Sequence, residues 1–288
     1  MDCITARTEL SVESSSQWDR RSPLVLGERV AYTGCGELGM ETRLGTCGWS
    51  FPDWKGTFYP AGTKDELAYY ASQFDAVEID SSYYRIPSAK SVDGWRERTP
   101  RGFLFCPKLP GEITHEKMLE GVDEQVAAFA DVISRLGDKL GPILVQLHPS
   151  FAHDQLPTLE TFLSRLPAGF RYAVEFRHRS WADQPDALQL LRAMNMGLAM
   201  AHHPWYARIR EATTDFAYLR LLGRRDVFPN FGQVHRPRDE ALAEWAAFLK
   251  AISSRVTRCY VFVNNQFEGH SPATIARLRG LLPGAEAR

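Results

Sequence analysis

Ten polar residues stand in or just past short apolar runs, and their types are those of acid–base and anion chemistry. Glu78 lies within Val77–Ile79, and Asp80 follows it. Lys108 follows Phe103–Cys106, Gln146 and His148 close Ile143–Leu147, and Glu175 and Arg177 close Tyr172–Phe176. Arg220 lies in Ala217–Leu221, and Asn264-Asn265 follows Tyr260–Val263. Two carboxylates across a cleft can divide the work of acid and base when their surroundings separate their pKa values. Glu78 and Glu175 are the expected pair, with Lys108 as electrostatic partner or proton donor. Glycoside hydrolysis is one such use, at carboxyl separations of about 5–5.5 Å or about 6.5–9.5 Å. Arg177 and Arg220 would bind an anionic group, and Gln146, Asn264 and Asn265 would orient it. Trp49, Tyr84 and Arg85, on adjoining loops, complete the expected binding set. The plainer alternative is a salt-bridged plug, in which Glu78 neutralises Lys108 and Glu175 neutralises Arg177.

Such residues act together only if a scaffold gathers the ends of their runs. With Leu44–Cys47 and Leu198–Ala201 the runs number eight, and a helical stretch follows most of them. Strands alternating with helices imply a parallel sheet, and eight units imply a single (β/α)₈ barrel of the TIM type, working at the strand C-termini. Side chains alternate along a strand, so the apolar set faces the helices and the polar set faces the axis. Val77 and Ile79 thus send Glu78 and Asp80 inward. The same parity turns Lys108, Gln146, His148, Glu175, Arg177 and Arg220 inward. At strand eight Asn264 and Asn265 have opposite parity, and either could face the axis.

Helices are expected around Leu67–Phe74, from the N-cap Ser88 through Trp95, and over Glu112–Leu140 with breaks at Gly121 and Gly137. Further helices are expected over Leu156–Leu166, over Asp186–Asn195 with Gly197 at its stop, and over Arg238–Ser253. The last opens at Ser271-Pro272, read as cap and first-turn proline. Residues 1–41 lack this rhythm and read as a flexible N-terminal extension, with the barrel domain over residues 42–288.

The chain has 288 residues, enough for one barrel of about 250. A net charge of −1 provides no global field to attract nucleic acid or an anionic membrane. Five scattered cysteines without a CxxC pair read as reduced thiols. No apolar run approaches the roughly 18 residues of a membrane span. The expected compartment is the cytoplasm, and the expected partner is a small anionic or hydroxylated molecule.

Other chemistries compete for the same residues. Arg220, Gly223, Arg224 and Arg225, with Gly269-His270-Ser271 before the last helix, could form a phosphate site. Glu78, His148, Glu175 and His202 could hold a divalent metal, as a metal-dependent hydrolase or isomerase requires, although Lys108 and Arg177 compete for the carboxylates. No cofactor is demanded. Cys47 and Cys106 could be nucleophiles, but neither has an identifiable histidine partner. The stretch from Arg224 through Phe228, Phe231, His235, Arg236 and Arg238 mixes cations and aromatics as single-strand nucleic-acid binding requires. That suits a non-catalytic nucleic-acid or partner-binding barrel, or a lid over the cleft.

Five motifs in order resemble the YecE-like family, domain of unknown function 72. They are Gly45-Thr46-Cys47-Gly48-Trp49-Ser50, Glu78-Ile79-Asp80-Ser81-Ser82-Tyr83-Tyr84-Arg85, Gly141-Pro142-Ile143-Leu144-Val145-Gln146-Leu147, Arg177-His178-Arg179-Ser180-Trp181 and Phe262-Val263-Asn264-Asn265. The resemblance runs from about Arg43 to Leu282 and implies a TIM-type barrel without an established reaction. The chain departs from the family pattern at three places. His148 replaces the first proline of Leu-Pro-Pro-Ser-Phe, and Leu222 replaces the histidine of Arg-Leu-His-Gly. Ala201-His202-His203-Pro204 lacks the acidic residue often found after strand six.

Overall fold

The computed structural model of the chain describes residues 40–282. The flexible extension expected over residues 1–41 lies outside them, except for its last two residues. Glu41 already belongs to the first strand, because pairing with the last strand begins at Glu41 and Arg258, before the apolar run does.

The eight strands are β1 (Glu41–Thr46), β2 (Ala76–Ile79), β3 (Leu104–Pro107), β4 (Ile143–Gln146), β5 (Tyr172–Glu175), β6 (Gly197–His202), β7 (Phe216–Leu221) and β8 (Arg258–Val263). Every pairing is parallel. One run is ordered β1-β8-β7-β6-β5-β4, and β2 pairs with β3. Bridges from Cys47 to Glu78 and from Lys108 to Leu144 join the two runs into a closed TIM-type barrel. Hydrogen bonds from Gly48 N to Glu78 O and from Gly141 N to Phe105 O, both 2.8 Å, secure the same seams.

The helices are α1 (Glu66–Gln73), α2 (Ser81–Tyr84), α3 (Ala89–Glu97), α4 (Asp123–Ser134), α5 (Leu156–Arg165), α6 (Pro185–Ala193), α7 (Asp239–Ile252) and α8 (Ser271–Arg279). Ser88 caps α3 by accepting from Ser91 N. The stretch from Glu112 breaks where Gly121 and Gly137 take φ of 59° and 58°. It becomes a π-helical turn over Glu112–Glu116, then α4, then a 3₁₀ turn over Gly137–Lys139.

Two expected helix ends are corrected. Asn195, at φ 52°, makes the left-handed turn after α6, while Gly197 is the first residue of β6. Asparagine tolerates that conformation better than other residues with a Cβ. At α8 the cap is His270, whose ring accepts from Ala273 N. Ser271 lies inside the helix because its hydroxyl is drawn to the buried Asn265 Oδ1, 2.8 Å away.

Among the described residues no helix joins β6 to β7. Residues 203–215 cross there as irregular chain, anchored by Thr213 Oγ1, which accepts from Leu198 N and donates to Met196 O at 2.8 and 2.7 Å.

The strand parity is as expected. Val77, Ile79, Val145, Val174 and Leu219 pack in the outer core with helix residues such as Phe129, Leu159 and Leu249. Ala76, Leu104, Leu144, Ala173, Tyr218, Tyr260 and Phe262 fill the interior. Full burial of each large side chain stabilises by about 1.5–3 kcal/mol. This rigid double core fixes where the inward polar residues point.

Candidate active site

Two residues above the apolar interior, the sequence places Glu78, Gln146, Glu175 and Arg220 on the axis side of their strands. Tertiary structure joins them into one network. Arg220 Nη2 donates to Glu78 Oε1 at 2.6 Å, and its Nε donates to Oε2 at 2.9 Å. Its Nη1 donates to Glu175 Oε2 at 2.5 Å. Tyr218 OH donates to Glu78 Oε2 at 2.8 Å, and Gln146 Nε2 donates to Glu175 Oε1 at 2.6 Å. Glu78 and Glu175 are both 0% exposed. Burial alone would raise the Glu78 carboxyl, but the Arg220 guanidinium, helped by Lys108 and the Tyr218 hydroxyl, more than offsets it and holds Glu78 below the usual range. This is a closed floor. The expected pairings of Glu78 with Lys108 and Glu175 with Arg177 are replaced, because the guanidinium fork of Arg220 reaches both acids at once.

A second ring lies above that floor, again two residues further along each strand: Asp80, Lys108, His148, Arg177 and His203. Its geometry differs from the floor in one respect. Lys108 Nζ approaches a carboxylate only at Asp80 Oδ1, 3.9 Å away, and lies 4.5 Å from the centre of the Tyr83 ring. Arg177 has no carboxylate within ion-pair distance among the described residues. Its Nη2 donates to Tyr206 OH at 2.5 Å, its Nη1 is 3.4 Å from His115 Nε2, and its buried Nε has no partner. The Tyr83 and His115 rings, 5.0 Å apart, link the two cations.

Burial lowers the pKa of Lys108, with Asp80 pulling the other way. Asp80 is raised, first by removal from water, against the pull of Lys108 and with the help of Glu78. Its side chain is 42% exposed, so water screens that shift. His115 is pushed down to about 3, by burial and then by Arg177. His203 is lowered to about 4 for the same two reasons, in the same order. Both imidazoles are therefore neutral near pH 7, which leaves the ring's positive charge on Lys108 and Arg177.

Local structure positions Lys108. Ser82, in the short helix α2, accepts from Lys108 N at 2.9 Å, and its hydroxyl lies 2.8 Å from Lys108 O and 2.7 Å from Ile79 O. It ties the end of β2 to the end of β3.

Several expected site residues lie elsewhere. Trp49 packs edge-on against Trp95 and Phe105 in the outer layer, at 5.6 and 6.5 Å. Tyr84 is 77% exposed, and its neighbour Tyr83 faces Lys108 instead. Arg85 is exposed. Asn264 Oδ1 accepts from Gly223 N at 3.2 Å. Asn265 is buried under the start of α8, accepting from Trp54 Nε1 and Ser271 N. Of the phosphate site expected there, Arg220 is paired twice and Gly223 N, Gly269 N and Ser271 N are bonded, while Arg224 and Arg225 are exposed and the buried His270 Nε2 has no partner.

The metal set is also dispersed, because His202 turns outward and accepts from Trp245 Nε1 at 3.1 Å. Cys47, Glu78 and Asp80 do have ligand atoms within 4.8 Å of one another. Their chemistry does not suit a divalent cation: Arg220 and Tyr218 occupy Glu78, and burial, then Glu78, push the Cys47 thiol well up. Burial raises Cys106 as well. Neither thiol is a ready nucleophile.

His115, Tyr206 and Tyr83 are the site residues that the strand pattern could not supply, because they come from the π-helical turn, the β6–β7 crossing and α2. Only the Glu78–Arg85 motif held a signal for Tyr83. In the loop after β7, Phe228 stacks on His235 at 5.3 Å, and Phe231 N donates to Asp53 Oδ2 at 2.9 Å. Those aromatics serve packing within the loop and against Phe51 and Asp53 of the segment after β1. Trp205, 55% exposed with Arg224 5.2 Å from its ring, stands free of it.

The family model described as "Protein of unknown function DUF72" matches residues 43–288. The UPF0759 protein YecE of Escherichia coli strain K12 is 34% identical over 155 residues, 54% of this chain and 54% of that protein. The match thus spans about half the length of that relative. The UPF0759 protein YunF of Bacillus subtilis is 24% identical over 254 residues, 78% of this chain and 89% of that protein. A DUF72 family protein from Thermotoga maritima superposes with a TM-score of 0.72 at 29% identity, covering 84% of this chain and 98% of that one.

Proposed function

The chain belongs to the DUF72 family, and on that premise we propose that its barrel mouth is an active site for proton-transfer chemistry on a small anionic molecule. One observation carries this reading. Lys108 and Arg177 are buried or half-buried cations that open onto the mouth, and neither has a close carboxylate partner. A desolvated charge left uncompensated costs several kcal/mol, and a bound anion would supply the compensation. The planar fork of Arg177 suits a carboxylate or phosphate.

In this reading the acid–base work sits one layer above Glu78 and Glu175. Those two carboxylates are sealed and share one guanidinium, whereas a general base must reach the proton it takes. Asp80 and Lys108 are better placed, because their pKa values are displaced towards one another and their tips lie at the rim. Glu78, Glu175, Gln146 and Arg220 hold the floor rigid, and Asn264 orients the β7 loop. A hydrolase dividing acid and base between Glu78 and Glu175 fits less well. The competing reading, a nucleic-acid or partner-binding barrel, draws on the exposed Trp205 with Arg224 beside it.

Native mass spectrometry of the purified protein, with metal analysis on the same sample, separates these readings. The expected result is a small anionic species that Arg177→Gln releases without changing the far-UV circular dichroism. An oligonucleotide bound with steep salt dependence, and indifferent to Arg177→Gln, would favour the competitor.

A further inference from the structure

Among the described residues, lysines fall into three environments. Lys55, Lys64, Lys90, Lys117 and Lys250 are exposed. Lys139 is buried but fully engaged, donating to Arg96 O, Thr99 O and Thr99 Oγ1 at 2.6, 2.6 and 3.0 Å. Lys108 alone of these is both buried, at 8% exposed, and without a hydrogen-bond acceptor for its Nζ. The face of Tyr83 lies on one side of it, the Asp80 carboxyl stands 3.9 Å away, and the barrel mouth is above.

We propose that Lys108 is a covalent nucleophile, which condenses with the carbonyl group of a small anionic aldehyde or ketone to form an imine. The inference rests on the reading of the mouth as an anion site and adds the reacting bond to it. Arg177 would hold the substrate's carboxylate or phosphate, with its donors fixed by Tyr206 OH. The Nζ lone pair attacks the carbonyl carbon, and the C–N bond forms while the carbonyl oxygen gains a proton. That oxygen then leaves as water. Both hydrogens of the neutral amine depart with it, so amine and carbonyl give imine and water with no change of oxidation state.

Asp80 is the carboxyl positioned to relay those protons. An apolar, partly desolvated setting beside other cations is what raises the nucleophilicity of a lysine, by favouring its neutral form. Burial acts on Lys108 in that direction, and Arg220 adds to it. The start of α2 contributes rigidity, since Ser82 pins the Lys108 backbone on both its N–H and carbonyl sides.

The test uses the full chain with glyoxylate as the probe, the smallest aldehyde carrying a carboxylate. Cyanoborohydride supplies the hydride that reduces any imine to a stable secondary amine, and peptide mass spectrometry locates it. Lys108 is expected to be modified at least about tenfold faster than any exposed lysine. Arg177→Gln is expected to slow Lys108 by about tenfold and leave the exposed lysines unchanged, while acetaldehyde shows no dependence on Arg177. Modification of Lys108 no faster than Lys90 or Lys250 overturns the proposal.

Glyoxylate binding measured without reductant, by saturation-transfer NMR on the wild type and on Lys108→Arg, distinguishes the two levels. Saturable, Arg177-dependent binding with indiscriminate labelling sinks the imine and leaves the anion site standing. Absence of saturable binding sinks both. Circular dichroism of each variant confirms that its barrel is intact.

Discussion

Arg220 and Glu78 meet side-on through two parallel hydrogen bonds, Nη2 to Oε1 at 2.6 Å and Nε to Oε2 at 2.9 Å, in a site where Glu78 is 0% exposed. The remaining guanidinium edge reaches Glu175. One cation therefore balances two buried acids that lie 97 positions apart in the chain. Removing the cation has a larger consequence than removing either acid. Arg220→Met is expected to destabilise the fold by about 3–5 kcal/mol, because two carboxylates lose their counter-charge. Glu175→Gln, which keeps the shape and leaves Arg220 paired with Glu78, is expected to cost less. Urea unfolding of both variants at neutral pH checks the order.

Acid is expected to weaken the protein in two stages. His203 has a folded-state pKa of about 4, below its ordinary 6.5, so the unfolded chain binds the extra proton first. Its contribution is complete above about 6.5 and is lost as the pH falls towards 4. Glu78 is likewise lowered from 4.5, so its contribution is complete above that value and disappears only as the pH falls further. Midpoints of urea unfolding between pH about 7.5 and about 4 should decline, and His203→Gln should flatten the upper part of the slope.

Gly223 follows β7 with so little space that a Cβ there would come within 1.6 Å of Gln266 O. The neighbour is backbone, which cannot swing aside. Gly223→Ala is expected to cost about 3 kcal/mol or more and to displace the loop that Asn264 ties to the mouth. By contrast, a Cβ at Gly62 meets nothing within 4 Å, so Gly62→Ala should suffer only the strain of its φ of 83°. Thermal unfolding of the two variants makes the comparison.

Trp49 and Tyr84 separate wall from packing. Trp49→Ala is expected to lower stability by about 2 kcal/mol through lost contact with Trp95 and Phe105, and to leave anion binding at the mouth unchanged. Tyr84→Ala, at a side chain 77% exposed, should change stability by no more than about 0.5 kcal/mol. Tyr83→Ala is expected to disturb Lys108 and so reduce labelling of that residue by glyoxylate. A Trp49 variant that loses binding while keeping its stability would restore that residue to the cleft wall.

Strand parity is a local property, and the chain states it plainly. The alternation around Val77-Glu78-Ile79 or Tyr172-Ala173-Val174-Glu175-Phe176 is enough to send particular acids and bases inward. Eight such runs are enough to place them at one end of a barrel. Which cation meets which acid is not local, because partners such as Glu78 and Arg220 come from opposite parts of the ring, and a fork with several donors can choose among them. Only the closed structure decided that Arg220 takes both acids and leaves Lys108 and Arg177 facing the mouth. Residues of α2, of the turn over Glu112–Glu116 and of the connecting loops lie outside the strand period, so the positions of Tyr83, His115 and Tyr206, and the outward turn of Trp49, were settled by packing. The sequence thus determined the layer each strand residue occupies, while the tertiary fold determined its neighbours, since hydrogen-bond partners are fixed by distance in space and not by order along the chain.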